Sequence, residues 1–364
     1  MKTYKIAILP GDGIGPEVME QAVRVLDKVW EKFGLIFEKK QALIWGAAYE
    51  KYKNHFPEET KKIVSESQAV LFGSVWWPVD KQMEEKWKDC EKNSILWIRK
   101  FLNLWVNIRP AKVWSDLAWL SVLKEDKIPE SWLEIVTFRE LSGWLYFGEH
   151  KTFEENGVKK AIDICEYDEK TIEYIAEFCF KSARQSSKKI AVVDKANVLD
   201  TSRLWREVVD RVAKKYSDVE FEYVLVDSCA MHLVQKPEQF EYILTENLFW
   251  DILSDLTSTF SGSLGLLASA SFNREWFGLY EPSGGSAPDI AGKNIANPIA
   301  QILCVALLLR HSFGEEKAAL QVEQAVNKVI KKWFRTGDIY RGLDWEKLVN
   351  TKEITDEIIK EINL

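Results

Sequence analysis

Along the chain, short runs of consecutive apolar residues alternate with segments in which apolar positions recur every three or four residues. Buried strands interleaved with amphipathic helices produce that pattern, which predicts an α/β protein. The first unit is the clearest. Residues 6–9 predict a strand, Gly11-Asp12-Gly13-Ile14-Gly15-Pro16 a turn, and residues 17–33 a helix with an apolar face of Val18, Ala22, Val25, Leu26 and Val29. Further strands are predicted over 69–72, 133–138, 189–193 and 220–226, the last ending in Asp227, with a helix over 202–214. Residues 242–244 predict a short strand leading into a helix that begins near Phe249. Residues 261–271 read as a loop of small side chains, 299–309 as a buried helix, and helices follow to the end. No internal repeat or low-complexity linker separates the parts, which points to domains that share the chain back and forth.

Composition narrows the class. The 364 residues are 46% hydrophobic and 29% charged with a net charge of -7, enough apolar surface to offset the entropy of ordering. The acidic balance argues against a nucleic-acid partner, which a basic stripe would betray. The longest apolar run, 299–309, is about half of the ~20 residues a membrane span needs, so no membrane partner is expected. The N-terminal run has the character of a strand, without the apolar core of a secretory leader. Cys90, Cys165, Cys179, Cys229 and Cys304 are scattered with no C-x-x-C pair, which suits a cytoplasmic protein with reduced thiols.

Several residues could carry chemistry. The Gly11-x-Gly13-x-Gly15 turn opens a helix but lacks G-x-G-x-x-G spacing, with Pro at position 16, so it is either a tight strand–helix turn or a ligand-facing one. Asp251 and Asp255 are four apart, which stacks two carboxylates on one helix face. Like charges there repel; either they are solvated acids or they share a hard divalent cation, with Asp227 as a possible third ligand. Arg99, Arg109 and Arg139 lie among apolar neighbours, where guanidinium forks suit either salt bridges or the carboxylates of a di-acid. Lys195 follows a strand and Tyr146 sits among apolar residues; each is a proton-transfer candidate or an ordinary packed side chain. The histidines His55, His150, His232 and His311 have no ligand spacing and read as structural or surface residues.

Six motifs then carry a resemblance over essentially the whole chain. They are Leu9-Pro10-Gly11-Asp12-Gly13-Ile14-Gly15-Pro16-Glu17, Arg139-Glu140-Leu141-Ser142-Gly143, Val193-Asp194-Lys195-Ala196-Asn197-Val198-Leu199, Ser202-Arg203-Leu204-Trp205-Arg206, Asp251-Ile252-Leu253-Ser254-Asp255 and Gly285-Ser286-Ala287-Pro288-Asp289-Ile290-Ala291-Gly292. In that order they resemble the isocitrate/isopropylmalate dehydrogenase family of β-decarboxylating dehydrogenases. The resemblance implies a non-Rossmann α/β fold of two domains: a discontinuous cofactor domain (1–108 plus 260–364) and a substrate, metal and dimerisation domain (109–259). It implies NAD-dependent oxidative decarboxylation of 3-isopropylmalate to 4-methyl-2-oxopentanoate in leucine biosynthesis. The alternatives are another 2-hydroxy di-acid (isocitrate, homoisocitrate or tartrate) and a catalytically inactive paralogue. By the same resemblance Arg99, Arg109 and Arg139 clamp the malate carboxylates. Asp251 and Asp255, with Asp227 of the partner subunit in a homodimer, hold Mg²⁺ or Mn²⁺. Lys195, also from the partner, assists hydroxyl deprotonation and Tyr146 protonates the enolate. Gly285, Ser286, Ala287, Pro288, Asp289, Ile290 and Asn297 hold the adenosine part of NAD, with Asp289 accepting from the ribose and repelling a 2′-phosphate. Ile95, Leu96 and Val198 meet the γ-group; all are apolar, so an isopropyl group fits where isocitrate's extra carboxylate would be stranded without water.

Two departures from the family pattern stand out. Trp45, Trp76, Trp77, Trp132, Trp144, Trp250, Trp276 and Trp333 occupy positions where the family has glycine, whereas Trp205 matches a family tryptophan. An indole forced into a glycine site costs about 1–3 kcal/mol, so eight would rival a folding margin of about 5–15 kcal/mol. The chain has 16 Trp and only 18 Gly in 364 residues; restoring eight glycines would bring their share to the usual value of about 7%. The pattern is that of an opal codon read as glycine in the source cell and translated here as tryptophan. Separately, Gly284 stands where the family usually has His, which alters the adenine contact.

Overall fold

In the computed structural model, which describes residues 2–75, 84, 86–87, 95–130, 132–141 and 148–363, the alternating pattern resolves into strands and helices in turn. The strands are β1 (Thr3–Gly11), β2 (Ile36–Gln41), β3 (Ala69–Ser74), β4 (Val106–Trp114), β5 (Trp132–Glu140), β6 (His150–Glu155), β7 (Val158–Asp163), β8 (Ile190–Asp194), β9 (Phe221–Leu225), β10 (Tyr242–Thr245), β11 (Ala268–Phe272) and β12 (Gly278–Pro282). The helices are α1 (Gly15–Phe33), α2 (Trp45–Tyr52), α3 (Glu58–Ser65), α4 (Ile95–Phe101), α5 (Glu169–Ser186), α6 (Asp200–Ala213), α7 (Val226–Gln235), α8 (Asn247–Ser258), α9 (Ile299–His311), α10 (Glu316–Lys331) and α11 (Thr351–Asn363). Tyr146, Trp76, Trp77, Trp144, Cys90 and the side chains of Ile95 and Leu96 lie outside the described residues. No described helix is long and apolar enough to cross a membrane.

The chain forms two compact units. The first comprises Met1–Leu104, Asp116–Leu120 and Ser261–Leu364. Its strands run β2-β1-β3-β12-β11, parallel except for the antiparallel β11–β12 pair. This is not the 3-2-1-4-5-6 order of a dinucleotide-binding doubly wound sheet. β3 is buried at every position, as a central parallel strand should be. Helix α1 buries the face predicted from its spacing, starts with Pro16 and stops at Gly34 in the left-handed region, whose N–H donates to the Trp30 carbonyl. Helix α9 is buried almost all round. Its last residue, His311, packs edge-on to Phe272, and burial pushes the imidazole pKa down to about 3, so it stays neutral.

The β1–α1 turn needs glycine for close approach. At Gly11 a Cβ would sit 1.9 Å from the Ser74 carbonyl oxygen, and at Gly13 a Cβ would sit 2.1 Å from that of Ser286. In their place the Asp12 N–H donates to Ser74 O (2.7 Å) and the Ile14 N–H to Ser286 O (2.8 Å). The Asp12 carboxylate accepts from the Gly46 and Ala47 N–H groups, both at 2.9 Å, and so caps α2 from a distant part of the chain. The turn is therefore both tight and in contact with the loop 285–292.

The second unit comprises Trp105–Ser115 and Ser121–Phe260. Its strands run β4-β5-β10-β8-β9, with β4 antiparallel to β5 and the rest parallel. Its core gathers Val113, Ile135, Val193, Leu233, Ile243, Leu253 and Phe260 between the sheet and helices α7 and α8. Helix α5 is capped by Asp168, whose carboxylate accepts the Thr171 N–H at 2.8 Å. Strands β6 and β7 pair only with each other and are exposed almost throughout.

Three sequence expectations are corrected. Asp227 does not end a strand; β9 stops at Leu225 and Asp227 lies in the first turn of α7, where the helix dipole favours it. Helix α8 begins at Asn247, ahead of Phe249. The small-residue stretch 261–271 ends in strand β11, all of it buried, which has small side chains because both faces are covered.

Trp45, Trp276 and Trp333 have φ of 64°, 64° and 65°, whereas Trp132 in β5 and Trp250 in α8 have ordinary backbone angles. For an L-residue the left-handed region costs roughly 1–2 kcal/mol.

Candidate active site

In the second unit two arginines converge on one helix. The β4–β5 register sets Asn107 opposite Arg139 and Arg109 opposite Thr137, so Arg109 and Arg139 are diagonal neighbours on one face of the pair. Arg109 Nη1 donates to Asp255 Oδ1 (3.0 Å) and Ser254 Oγ (3.2 Å). Arg139 Nε donates to Asn247 Oδ1 (2.8 Å), and its Nη2 lies 3.3 Å from Asp251 Oδ1. The four-residue spacing thus puts both acids of α8 on the side facing the arginines. Between them lies Trp250, 1% exposed, its ring 4.6 Å from the Arg109 guanidinium carbon and 4.5 Å from that of Arg139.

Lys195, just after β8, donates from Nζ to Asp227 Oδ1 at 2.7 Å. That bond holds the Asp227 carboxyl below the usual carboxylate range. Val198 follows in the same turn and is 61% exposed. The Lys195 backbone N–H donates to Ser202 Oγ (3.1 Å), whose hydroxyl donates to Glu246 Oε1 (2.5 Å). Glu246 is wholly buried beside Asp194, which Arg206 holds through two bonds of 2.6 and 3.0 Å. Burial, countered by the Ser202 bond and reinforced by the Asp194 charge, lifts the Glu246 pKa to about 7.

A raised acid pKa means that the native state holds the proton more tightly than the unfolded chain. The associated stability is fully present below the unfolded value of about 4.3 and is lost as pH rises through about 7, on the order of 3 kcal/mol in all. A Glu246→Gln variant keeps an acceptor for Ser202 and removes the titration. Its thermal midpoint should match that of the parent at pH 4.5 and exceed it by about 4 °C at pH 8. An offset that does not change with pH would contradict this.

In the first unit a cavity of about 620 Å³ is walled by Ile14 and Val18 of the α1 entry, Ser74, residues of the loop from Gly284 to Ile290, Asn297, Gln301 and Asp338. Asp338 Oδ2 accepts from Ser263 Oγ and from Asn297 Nδ2 (3.0 Å). Gln301 is 1% exposed; its Nε2 donates to the Phe72 carbonyl (3.2 Å), which leaves Oε1 as an acceptor with no hydrogen-bond partner among the described residues. The volume suits a small-molecule site. The lining has one carboxylate and no cationic side chain, and the orphaned acceptor calls for a donor. An uncharged adenosine group fits such a wall. The loop is pinned to α1 at both ends, by Ser286 O on Ile14 and by the Gly292 N–H on Glu17 Oε2 (2.7 Å).

The residues expected from the sequence are thus brought together in part. Arg109, Arg139, Asp251 and Asp255 form one cluster, and Lys195, Asp227 and Val198 sit around one turn. Arg99, on α4 in the first unit, donates to Glu281 Oε1 at 2.8 Å. Gly285, Ala287, Ile290 and Asn297 line the cavity, whereas Asp289 is exposed and is not among its walls. Ser286 and Pro288 shape the loop, with Ser286 buried and Ala287 at φ 37°. Asp338 and Gln301 escaped the sequence reading; neither lies in a motif, and only the fold brings them to the loop. At Gly284 an added Cβ would meet Leu264 at an ordinary 3.5 Å, so the backbone does not demand glycine there. Among the described residues of this chain no three acids, histidines or cysteines form a metal-sized group; Asp251 and Asp255 are the hard oxygen donors of a partial set.

Comparison with known proteins adds a family. A family model described as isocitrate/isopropylmalate dehydrogenase matches residues 5–358. The chain is 49% identical to the 3-isopropylmalate dehydrogenase of Thermotoga maritima over 364 residues, 98% of this chain and 99% of that protein. It is 47% identical to that of Aquifex aeolicus, covering 100% and 98%. Its fold is similar to the crystal structure of isocitrate dehydrogenase from Methylococcus capsulatus, with a TM-score of 0.82 and 32% identity over 99% of this chain and 100% of that one. The β-decarboxylating dehydrogenase of Thermococcus kodakarensis, in its apo form, gives 0.81 and 34% over 99% and 96%.

Proposed function

Because the chain belongs to the isocitrate/isopropylmalate dehydrogenase family, we propose that it converts 3-isopropylmalate to 4-methyl-2-oxopentanoate with NAD as oxidant, as a cytoplasmic enzyme of leucine biosynthesis. The observation that carries this reading is the paired Arg109 and Arg139, each bonded to one of two acids a helical turn apart. Two guanidinium forks beside two carboxylates suit a di-acid whose 2-hydroxyl shares a cation with the protein.

Arg109, Arg139 and Arg99 grip the substrate carboxylates and fix the C2–H bond for hydride loss. Asp251 and Asp255, with Asp227 of the partner subunit, hold Mg²⁺ or Mn²⁺. When bound, the dinucleotide supplies a hydride acceptor and the divalent ion polarises the C2 oxygen. Lys195 of the partner subunit assists removal of the hydroxyl proton as the C2 carbonyl forms, its ammonium held toward the site by Asp227. Loss of CO₂ from the adjacent carbon then leaves an enolate, and Tyr146 delivers the proton that completes the 2-oxo acid. Ile95, Leu96 and Val198, the residues assigned to the γ-group, are all apolar, which suits an isopropyl group and offers isocitrate's third carboxylate no partner. NAD is preferred to NADP because the cavity lining contains the Asp338 carboxylate and no cation, and Asp289 adds a negative charge on the loop whose Gly285, Ala287 and Ile290 line that cavity.

Two surface features support a homodimer. Helix α7 turns Cys229 and Leu233 inward and leaves Met231 and Val234 about half exposed, and Ile252 on the packed neighbour α8 is 58% exposed. An apolar face of this kind suits a second copy. The β6–β7 hairpin has exposed Val158 and Ile162, and a lone two-stranded hairpin is marginal until covered.

The test is NAD reduction with 3-isopropylmalate, isocitrate or no substrate, with and without Mg²⁺. The expected kcat/KM favours 3-isopropylmalate over isocitrate by at least about 10²-fold, the cost of stranding a buried charge. Equal or reversed preference would assign a different di-acid, and silence in every lane from the glycine-restored protein would leave an inactive paralogue.

A further inference from the structure

Nine non-glycine residues among those described have positive φ, and three of them are tryptophans: Trp45, Trp276 and Trp333. Three more are asparagines, which tolerate that region through local hydrogen bonding; a bulky aromatic is among the residues least suited to it. None of the other described tryptophans shares it, including Trp205 in the core.

Each of the three occupies a place where chain geometry asks for glycine. Trp333 lies just past the last turn of α10, after the capping residue Lys332, and its N–H donates to the Ile330 carbonyl at 3.0 Å. That is the helix-stopping position at which a left-handed glycine is the common solution. Trp276 closes a turn on Asn273 (N–H to O, 3.1 Å) in the five-residue connection between antiparallel β11 and β12. A turn followed by a left-handed residue is the usual way to reverse such a hairpin. Trp45 opens α2 with no side-chain exposure. It follows an extended Ile44, donates its N–H to the His55 carbonyl at 2.8 Å, and precedes the two N–H groups that Asp12 caps. Three unrelated junctions with one conformation and one residue type point to a common cause in decoding, since local strain at a working site would not repeat at a helix end, a hairpin and a helix start.

We infer that residues 45, 276 and 333 are glycine in the protein made by its own cell, whose translation reads as glycine a codon rendered here as tryptophan. The backbone carries this inference independently of the catalytic assignment, so either can fail alone.

Peptide mass spectrometry of the protein purified from its own cells should show glycine at all three positions; tryptophan at any of them would overturn the inference. In the recombinant chain, the combined variant Trp45→Gly, Trp276→Gly, Trp333→Gly should melt about 5 °C or more above the parent, whereas Trp205→Gly should melt below it. A triple variant with an unchanged or lowered midpoint would overturn the inference as well.

Discussion

Replacing Lys195 by methionine should lower kcat with 3-isopropylmalate by about 10²–10⁴-fold and leave the KM for NAD unchanged, because a side chain positioned to assist proton transfer contributes on that scale. Methionine keeps most of the apolar stem and removes the ammonium. The Lys195 side chain is about one-quarter exposed, and its Nζ lies 2.7 Å from Asp227. That carboxylate keeps the ammonium oriented, and the ammonium keeps the carboxyl ionised. A kcat within about threefold of the parent would remove Lys195 from the proposed mechanism.

The second large effect concerns Trp250. Its ring lies beside both guanidiniums of the proposed substrate clamp, 4.6 Å from that of Arg109 and 4.5 Å from that of Arg139. A desolvated cation–π contact is worth about 1–2 kcal/mol. Releasing two such contacts frees about 2–4 kcal/mol for the substrate carboxylates, roughly 30- to 10³-fold in kcat/KM. If position 250 is glycine in the native protein, Trp250→Gly should therefore raise kcat/KM by that factor. If the indole belongs to the native core, the opposite is expected. Truncating a buried tryptophan costs about 3–5 kcal/mol and a helical glycine about 1 more, so the variant would melt well below the parent with no gain in activity. A gain in kcat/KM and its absence separate the two outcomes, and a thermal melt on the same variant measures what the loss of the indole costs the fold.

How far the fold could be read from the chain depended on what each element uses to declare itself. Helix α1 and strand β3 show their burial in their own spacing, and both form where the apolar pattern puts them. Strand β11 is spelled Ala-Ser-Ala-Ser-Phe, with no β-branched residue; its identity comes from pairing with β12, which no local pattern reveals. Asp227 was misplaced by a few residues because β9 runs into α7 with no intervening glycine or proline to mark the boundary. In the site, the Asp251–Asp255 spacing was legible because helical periodicity is local, and the arginines because each sits in an apolar strand or helix. Asp338 and Gln301 were not, since a polar residue gains meaning only when the chain around it is folded. The positive φ of Trp45, Trp276 and Trp333 lies between these cases: composition raised the question, and only the backbone shows which tryptophans stand in glycine's conformation.

The central claim is that each active site takes Asp251 and Asp255 from one protomer and Lys195 and Asp227 from its partner. Co-expression of two inactive variants, Lys195→Met and Asp251→Asn, tests it most directly. A heterodimer of the two has one site with every group intact and one site doubly impaired, and random pairing makes half of the dimers heterodimers. The co-expressed population should recover about a quarter of the parent activity, each mixed dimer having one working site of two, although each variant alone is nearly silent. Mixed dimers no more active than the separate variants would place all of these groups in one chain and contradict the shared site.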